Sequence, residues 1–254
     1  VLGDDHPQTL HSIGALGSVL HNQGKLAEAE PLLREALEGR RRVLRDDHPY
    51  TLGSIMNMGA LLMSQGKLAE AEPFLRESVE GRRRVLGDDH ADTLFAIQPL
   101  TSVIEMIISA ERTADTSTRL GSHLAELGAL LLLQGRFEQA EARLTEGFEL
   151  LAEQAGDTHW RSFAAQSSLG AAMAGLGRYE EAEFLLLESA ETLMADDSLS
   201  DGQRHLGVEP LSAAIQRVVD FYAAWHETAP TEGHDGQAGE WSARLAHWER
   251  ERGQ

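Results

Sequence analysis

The sequence predicts an all-α fold, an α-α solenoid in which antiparallel helix pairs stack into a right-handed superhelix. Two observations predict it. Residues 3–42 and 45–84 align without a gap and are identical at 27 of 40 positions, so the chain repeats itself with a period of 42. Within each period apolar and small residues recur at helical spacing: Ile13, Leu16, Gly17 and Leu20 on one segment, then Leu26, Ala29, Leu33, Ala36 and Leu37 on the next. Spacing of i, i+3, i+4, i+7 puts those side chains on one helix face. A fixed period of about 20–50 residues is how stacked repeats declare themselves in sequence.

The block QGKLAEAEP runs from Gln23 and again from Gln65; looser copies, QGRFEQAEA and LGRYEEAEF, run from Gln134 and Leu176. Each places a turn glycine, at Gly24, Gly66, Gly135 and Gly177, with spacings of 42, 69 and 42. Each unit therefore reads as two helices joined by a tight Gly-Lys or Gly-Arg turn. Gly17 and Ala29 are small where two close helices must cross. Pro31 and Pro73 fall inside the second helices, where loss of a backbone donor predicts a slight bend. Residues 1–90 form two regular units. Residues 91–118 read as a degenerate third: a helix from Thr93 to Ile108 interrupted by Pro99, then the loop-like polar run Ser109–Thr118, with no second helix. Residues 119–195 supply two further units. In 196–254 a polar connection, Asp196–Gly207, precedes an amphipathic helix over Leu211–Trp225 carrying Ile215, Val218 and Tyr222. A loop over Thr228–Gly239 and a charged helix over Glu240–Arg252 complete a helical C-terminal cap, since a terminal unit must present a polar outer face.

These residues resemble the tetratricopeptide repeat, with its bulky residue, Leu-Gly pair, second bulky residue, turn Gly, and two Ala on the second helix. The first unit matches at Ile13, Leu16, Gly17, Leu20, Gly24, Leu26, Ala29 and Ala36. The second matches at Ile55, Met58, Gly59, Leu62, Gly66, Leu68, Ala71 and Ser78. The units around Gly135 and Gly177 follow, from Leu124 to Gly147 and from Gln166 to Ala190. The 42-residue unit looks like the kinesin-light-chain type, as found in bacterial proteins. Bacterial relatives of that type often lie C-terminal to a serine/threonine kinase domain. The resemblance covers residues 1–195 well and 209–252 weakly.

Two motifs invite a chemical reading. GDDHP at Gly3–Pro7 returns as RDDHP at Arg45–Pro49 and GDDHA at Gly87–Ala91. In the repeat register it joins one unit to the next, where Asp or His caps the coming helix and Pro suits its first turn. A metal site would need ligands converging from several elements, whereas copies in a solenoid lie apart along an edge. GRRR at Gly39–Arg42 and Gly81–Arg84 ends a second helix, where cations suit the dipole. Glu38 and Glu80 are spaced for i, i+4 pairs with Arg42 and Arg84, so a solvated helix end is expected. His226, His234 and His247 lack the spacing of a helical zinc motif, and there is no phosphate loop, nucleophile elbow or kinase signature. No catalytic, metal or cofactor-binding residue is assigned; an enzyme is not expected, nor a cofactor.

Formal net charge is −19, divided as −5 over residues 1–110 and −14 over 111–254. Such a surface repels phosphate backbones, so nucleic acid is not an expected partner. Apolar runs such as Ala129–Leu133 are too short to span a bilayer, and no membrane role is expected. The absence of cysteine fits a reducing compartment, and the location expected is cytoplasmic. The chain begins at Val1 rather than a methionine, as expected of part of a longer product. The resemblance implies a protein-interaction scaffold, with the first helices lining a concave groove. Groove positions beside the Leu-Gly pair include His11, Gly14, Ala15, Ser18, His21 and Asn22 in the first unit. Those in the second include Gly53, Met56, Asn57, Ala60, Met63 and Ser64, and later ones include Glu126 and Ala129. The partner expected there is a protein or peptide segment, apolar with some basic residues. The second reading is a regulatory or targeting C-terminal portion of a bacterial serine/threonine protein kinase whose catalytic domain lies upstream.

Overall fold

The computed structural model describes residues 3, 5–113, 119–155, 160–195, 211–230 and 234–252. Among them are eleven helices and no strand. They are α1 (Pro7–Asn22), α2 (Leu26–Leu44), α3 (Pro49–Ser64), α4 (Leu68–Leu86), α5 (Ala91–Thr113), α6 (Leu120–Leu133), α7 (Phe137–Ala155), α8 (Trp160–Gly175), α9 (Tyr179–Ala195), α10 (Leu211–Thr228) and α11 (His234–Arg252). The chain divides into two compact units, Val1–Ala110 and Glu111–Gln254. In the first, α1 and α2 form a hairpin, α3 and α4 another, and α2 packs on α3. In the second, α6–α7, α8–α9 and α10–α11 are hairpins, with α7 against α8 and α9 against α10.

The four turn glycines lie where the repeat places them, at φ of 67 to 76°. That left-handed conformation costs glycine nothing and other residues about 1 kcal/mol. The α1–α2, α3–α4, α6–α7 and α8–α9 hairpins are each closed by a leucine seated on a glycine. A Cβ at Gly17 would stand 2.9 Å from Leu33 side-chain atoms, one at Gly59 2.7 Å from Leu75, and one at Gly170 2.7 Å from Leu186. The reverse fit also occurs: Leu10 and Leu52 occupy the space over Gly39 and Gly81. Ala29, Ala71, Ala140 and Ala182 are fully buried at the crossings.

The two recurrent motifs turn out to be partners. The histidine of DDHP is the helix cap: Nδ1 of His6, His48 and His90 accepts from the backbone N–H of Gln8, Tyr50 and Asp92 at 3.1 to 3.2 Å. The aspartates pair with GRRR. Arg42 reaches Asp5 at 2.7 Å, and Arg84 reaches Asp47 in the same way; these partners, rather than Glu38 and Glu80, are the ones that hold the arginine ends. Arg41 lies 3.1 Å from Asp46 and donates to Glu77 at 2.5 Å, while Arg83 grips Asp88 through two bonds of 2.6 and 2.9 Å. The first arginine of each set departs from the solvated-helix expectation. Arg40 and Arg82 are buried, and burial pulls their pKa values down from the ordinary arginine range. Arg40 donates to Ser54 Oγ at 2.5 Å and to the carbonyls of Tyr50 and Leu10; Arg82 donates to Leu52 and Ser78. A guanidinium has five donors and is dehydrated more readily than an ammonium, which suits it to this role.

The irregular third unit departs from expectation in detail. Its helix runs through Pro99 and continues to Thr113, so Ser109–Thr113 is helical rather than a loop; 114–118 lie outside the described residues. The next described helix after α5 is α6. By length and composition α5 is apolar enough to cross a membrane, although Ile97, Leu100, Val103 and Ile104 are buried within the protein. Leu16 and Val19 of α1 are half exposed, at 52% and 50%, whereas their equivalents Met58 and Leu61 are buried. α2 covers that face of α3, and no described helix covers it on α1. At the C-terminal end Ile215, Val218, Phe221, Tyr222 and Trp241 pack on Ala182, Leu186 and Ala190 of α9, so α10–α11 stacks as one more hairpin. Most of the expected loop before Glu240 is helical, because α11 starts at His234. The expected polar connection lies outside the described residues.

Two predictions follow from this packing. Ala71→Arg forces a charge into a full helix crossing and costs about 3 kcal/mol or more. His48→Ala removes one cap and costs about 1 kcal/mol, most of it recovered by His48→Asn. Chemical denaturation checks both, and equal losses for Ala71→Arg and His48→Ala would contradict the assignment. The second concerns acid. Hydrogen bonds from Arg83 hold the Asp88 carboxyl below its ordinary value of 3.8. A pKa depressed by folding adds stability above the unfolded value that is lost as pH falls through the folded one. Asp88→Asn therefore lowers the melting temperature at neutral pH, and the gap from the parent closes toward about pH 2.

Candidate functional site

The first unit presents one helix stripe that is neither buried nor used in hairpin closure. On α3 it comprises Tyr50, Gly53, Met56, Asn57, Ala60, Met63 and Ser64, all half exposed or exposed, while Leu52, Ile55, Met58, Gly59 and Leu62 between them are buried. The matching stripe on α1 carries Gln8, His11, Ala15, Ser18, His21 and Asn22. Gly14 was expected in this set but is buried, with Ala36 and Arg40 against it. Two bonds draw the stripes together: Asn57 Nδ2 donates to Ser18 Oγ at 3.3 Å, and His21 Nε2 lies 2.8 Å from Ser64 Oγ. The structure therefore brings Ser18 and Asn57 into contact and places His11, Ala15, Asn22, Met56, Ala60 and Met63 on the same two helix faces. Glu126 and Ala129 occupy the corresponding half-exposed stripe of α6, in the second unit.

Aromatic character was underread in the sequence. Tyr50, 62% exposed, stands at the start of the α3 stripe. The His11 ring meets it edge-on at 6.5 Å, and the buried Arg40 guanidinium lies 5.8 Å from its ring centre. In the repeat register His11, Gly53 and Phe95 are equivalent positions, and Phe95 is 64% exposed. The available signal was the position of each in the 42-residue register, which marks Tyr50 and Phe95 as stripe residues, not core.

The repeat supplies its own comparison. Residues 3–42 and 45–84 differ at thirteen positions. Seven of these are the stripe itself: Gln8/Tyr50, His11/Gly53, Gly14/Met56, Ala15/Asn57, Ser18/Ala60, His21/Met63 and Asn22/Ser64. Of the other six, Leu16/Met58, Val19/Leu61, Leu32/Phe74, Ala36/Ser78 and Leu37/Val79 exchange residues of similar size at packing positions and Gly3/Arg45 lies in the junction, while Leu10/Leu52, Ile13/Ile55, Gly17/Gly59 and Leu20/Leu62 are identical. Exposure alone does not explain the change, because Ala27/Ala69, Glu28/Glu70 and Glu38/Glu80 are exposed in both units and unchanged.

Among the described residues no three His, Asp or Glu side chains gather as a metal-holding group. In the DDHP copies His6, His48 and His90 are committed to caps, and Asp5, Asp46, Asp47 and Asp88 to ion pairs.

Two family models match the chain, each described as tetratricopeptide repeat, one at residues 9–50 and 51–92, the other at 121–145 and 164–187. Together they cover just over half of its length. With the turn glycines, the Gly-Leu hairpins and the stacking in place, the chain belongs to the tetratricopeptide repeat family. No curated protein sequence matches it. Among solved structures it is similar to a putative kinesin light chain of Podosopora anserina with nearly identical TPR-like repeats. That likeness has 21% identity over 77% of this chain and 99% of that one, with a TM-score of 0.37. It is also similar to BtubC (BKLC) from P. vanneervenii, at 17% identity over 94% of this chain and 82% of that one, with a TM-score of 0.36.

Proposed function

We propose that this chain is a protein-interaction scaffold that holds a segment of another protein on its first-helix face and performs no chemistry of its own. The observation that carries this reading is the pattern of internal change. Two nearly identical repeats keep their turns and most of their outer surface, change their packing residues only to others of similar size, and differ at every position of one stripe, often in chemical character. A stripe that only faced water would have no reason to change more than the equally exposed second helices.

The composition of the stripe favours a permissive apolar contact. Ala15, Gly53 and Ala60 leave room for a partner's backbone. Met56 and Met63 offer unbranched, polarisable side chains that adapt to different shapes. The Asn57 amide, tied to Ser18, is a fixed polar group among them. The overall charge of −19 favours segments that carry lysine or arginine and speeds their encounter. A segment apolar with some basic residues meets both conditions.

The test uses a partner recovered from the native cell. The double substitution Met56→Ala with Asn57→Ala should weaken its binding about tenfold or more, with the melting temperature nearly unchanged. Glu28→Gln with Glu70→Gln, on the unchanging outer face, should leave affinity intact. Wild-type affinity in the stripe variant, or capture through Arg42 and Arg84 instead, would contradict the reading.

A further inference from the structure

The second unit contains a cleft of about 270 Å³ beside the α8–α9 turn, lined by Gly177, Arg178, Tyr179, Glu180, Glu181 and Trp225. Its chemistry is unlike that of the first-helix stripe. One wall is aromatic: the Tyr179 and Trp225 rings are nearly parallel, 9° apart in tilt and 5.6 Å between centres. Trp225 is backed on His234, at 4.0 Å and 17°, and runs within 5° of parallel to Tyr222. His234 and Tyr222 are themselves buried, so the wall is fixed by the α9–α10–α11 core. The other wall is acidic.

The one cation on the lining is already committed. Arg178 donates to Glu141 at 2.5 Å and to both oxygens of Glu181, at 2.8 and 2.6 Å, and these two carboxylates raise its pKa above the ordinary arginine value. The same inter-repeat pairing occurs in the first unit, where Lys67 stands 3.8 Å from Glu30. Arg178 is therefore part of the repeat lattice. With Glu141 and Glu181 counted against it, the surroundings remain net negative, and Glu180 is exposed with no ion pair among the described residues. An aromatic face beside an unpaired carboxylate is the arrangement that holds an alkylammonium or guanidinium group, through the ring quadrupole and the charge together. The chain already makes such a contact elsewhere in this unit, where the Arg244 guanidinium lies 3.9 Å from the centre of the Trp241 ring.

We propose that this cleft binds an organic cation, and that its source is a lysine or arginine side chain of a protein segment. The charge of the chain over residues 111–254, −14, draws basic segments to this unit in preference to small neutral ligands. The site is separate from the first-helix stripe, so it stands or falls independently of the scaffold reading.

The test follows the four tryptophan indole N–H signals of the 15N-labelled chain, with that of Trp225 assigned by its loss in Trp225→Leu. Acetyl-Gly-Gly-Arg-Gly-Gly-amide and its lysine counterpart are titrated in, alongside the citrulline peptide, which has the shape of arginine without its charge, and tetramethylammonium, a free cation. The Trp225 signal should move with the arginine or lysine peptide, with affinity about tenfold or more above that of the citrulline peptide. Glu180→Gln should weaken the basic peptides several-fold, while Glu149→Gln, an equal loss of charge on exposed α7 surface, should not. Should Trp225→Leu fail to fold, Glu180→Gln against Glu149→Gln still decides the matter. Equal shifts with citrulline, or equal weakening by the two acidic variants, would overturn the site. Tetramethylammonium binding as tightly as the peptides would overturn the protein segment as its source.

Discussion

The repeated helix pairs depend on the seating of a leucine on a glycine, reciprocal in α1–α2 and α3–α4 and one-sided in α6–α7 and α8–α9. Gly59 on α3 receives Leu75 from α4, and Gly81 on α4 receives Leu52 from α3. A side chain at either glycine would hold the helices apart, and a smaller residue at either leucine would leave a void, so residue size on both helices fixes the separation together. The same pair recurs as Gly17 with Leu33, Gly128 with Leu144 and Gly170 with Leu186.

Above that frame lies a second, polar order. Arginines at the ends of α2 and α4 hold aspartates of the junctions beside them, and His6, His48 and His90 cap α1, α3 and α5. Pairs as exposed as Arg42 with Asp5 contribute little stability each. Their regularity instead fixes how one unit meets the next. Buried Arg40 and Arg82 do more, because removing either would strand carbonyls and hydroxyls that water does not reach. The turns, caps and arginine joints fall on residues that the two repeats share, and beyond the bonds of Asn57 to Ser18 and of His21 to Ser64 the first-helix stripe carries little of the packing. It is there that the two nearly identical repeats diverge.

The hairpins were legible in the sequence because periodicity and a turn glycine are local signals. Gly24, Gly66, Gly135 and Gly177 each mark a change of direction that needs no knowledge of the rest of the chain. What was less legible depended on neighbours. Leu16 matches the repeat pattern as well as Met58 does, yet it is half exposed, because burial there requires a preceding helix pair. Arg40 and Arg42 look alike in GRRR, yet one is buried and the other pairs at the surface, since two steps of about 100° along the helix carry them to opposite sides. Pro99 reads as a break but is accommodated in α5, as Pro31 is in α2 and Pro73 in α4. In the candidate sites, Asn57 could be placed on its stripe from spacing alone. The meeting of Tyr179 with Trp225 joins residues far apart in sequence and became visible only in three dimensions.

A double-mutant cycle on Gly59 and Leu75 tests the governing interaction most directly. Gly59→Val alone overfills the crossing and costs about 1–3 kcal/mol; Leu75→Ala alone empties it and costs about 2–5 kcal/mol. If the two residues share one space, the valine fills part of the void left by the leucine. The double variant should then be more stable than the sum of the single losses implies by about 1 kcal/mol or more. Simple additivity of the two losses in chemical denaturation would contradict the claim that this pair sets the helix spacing.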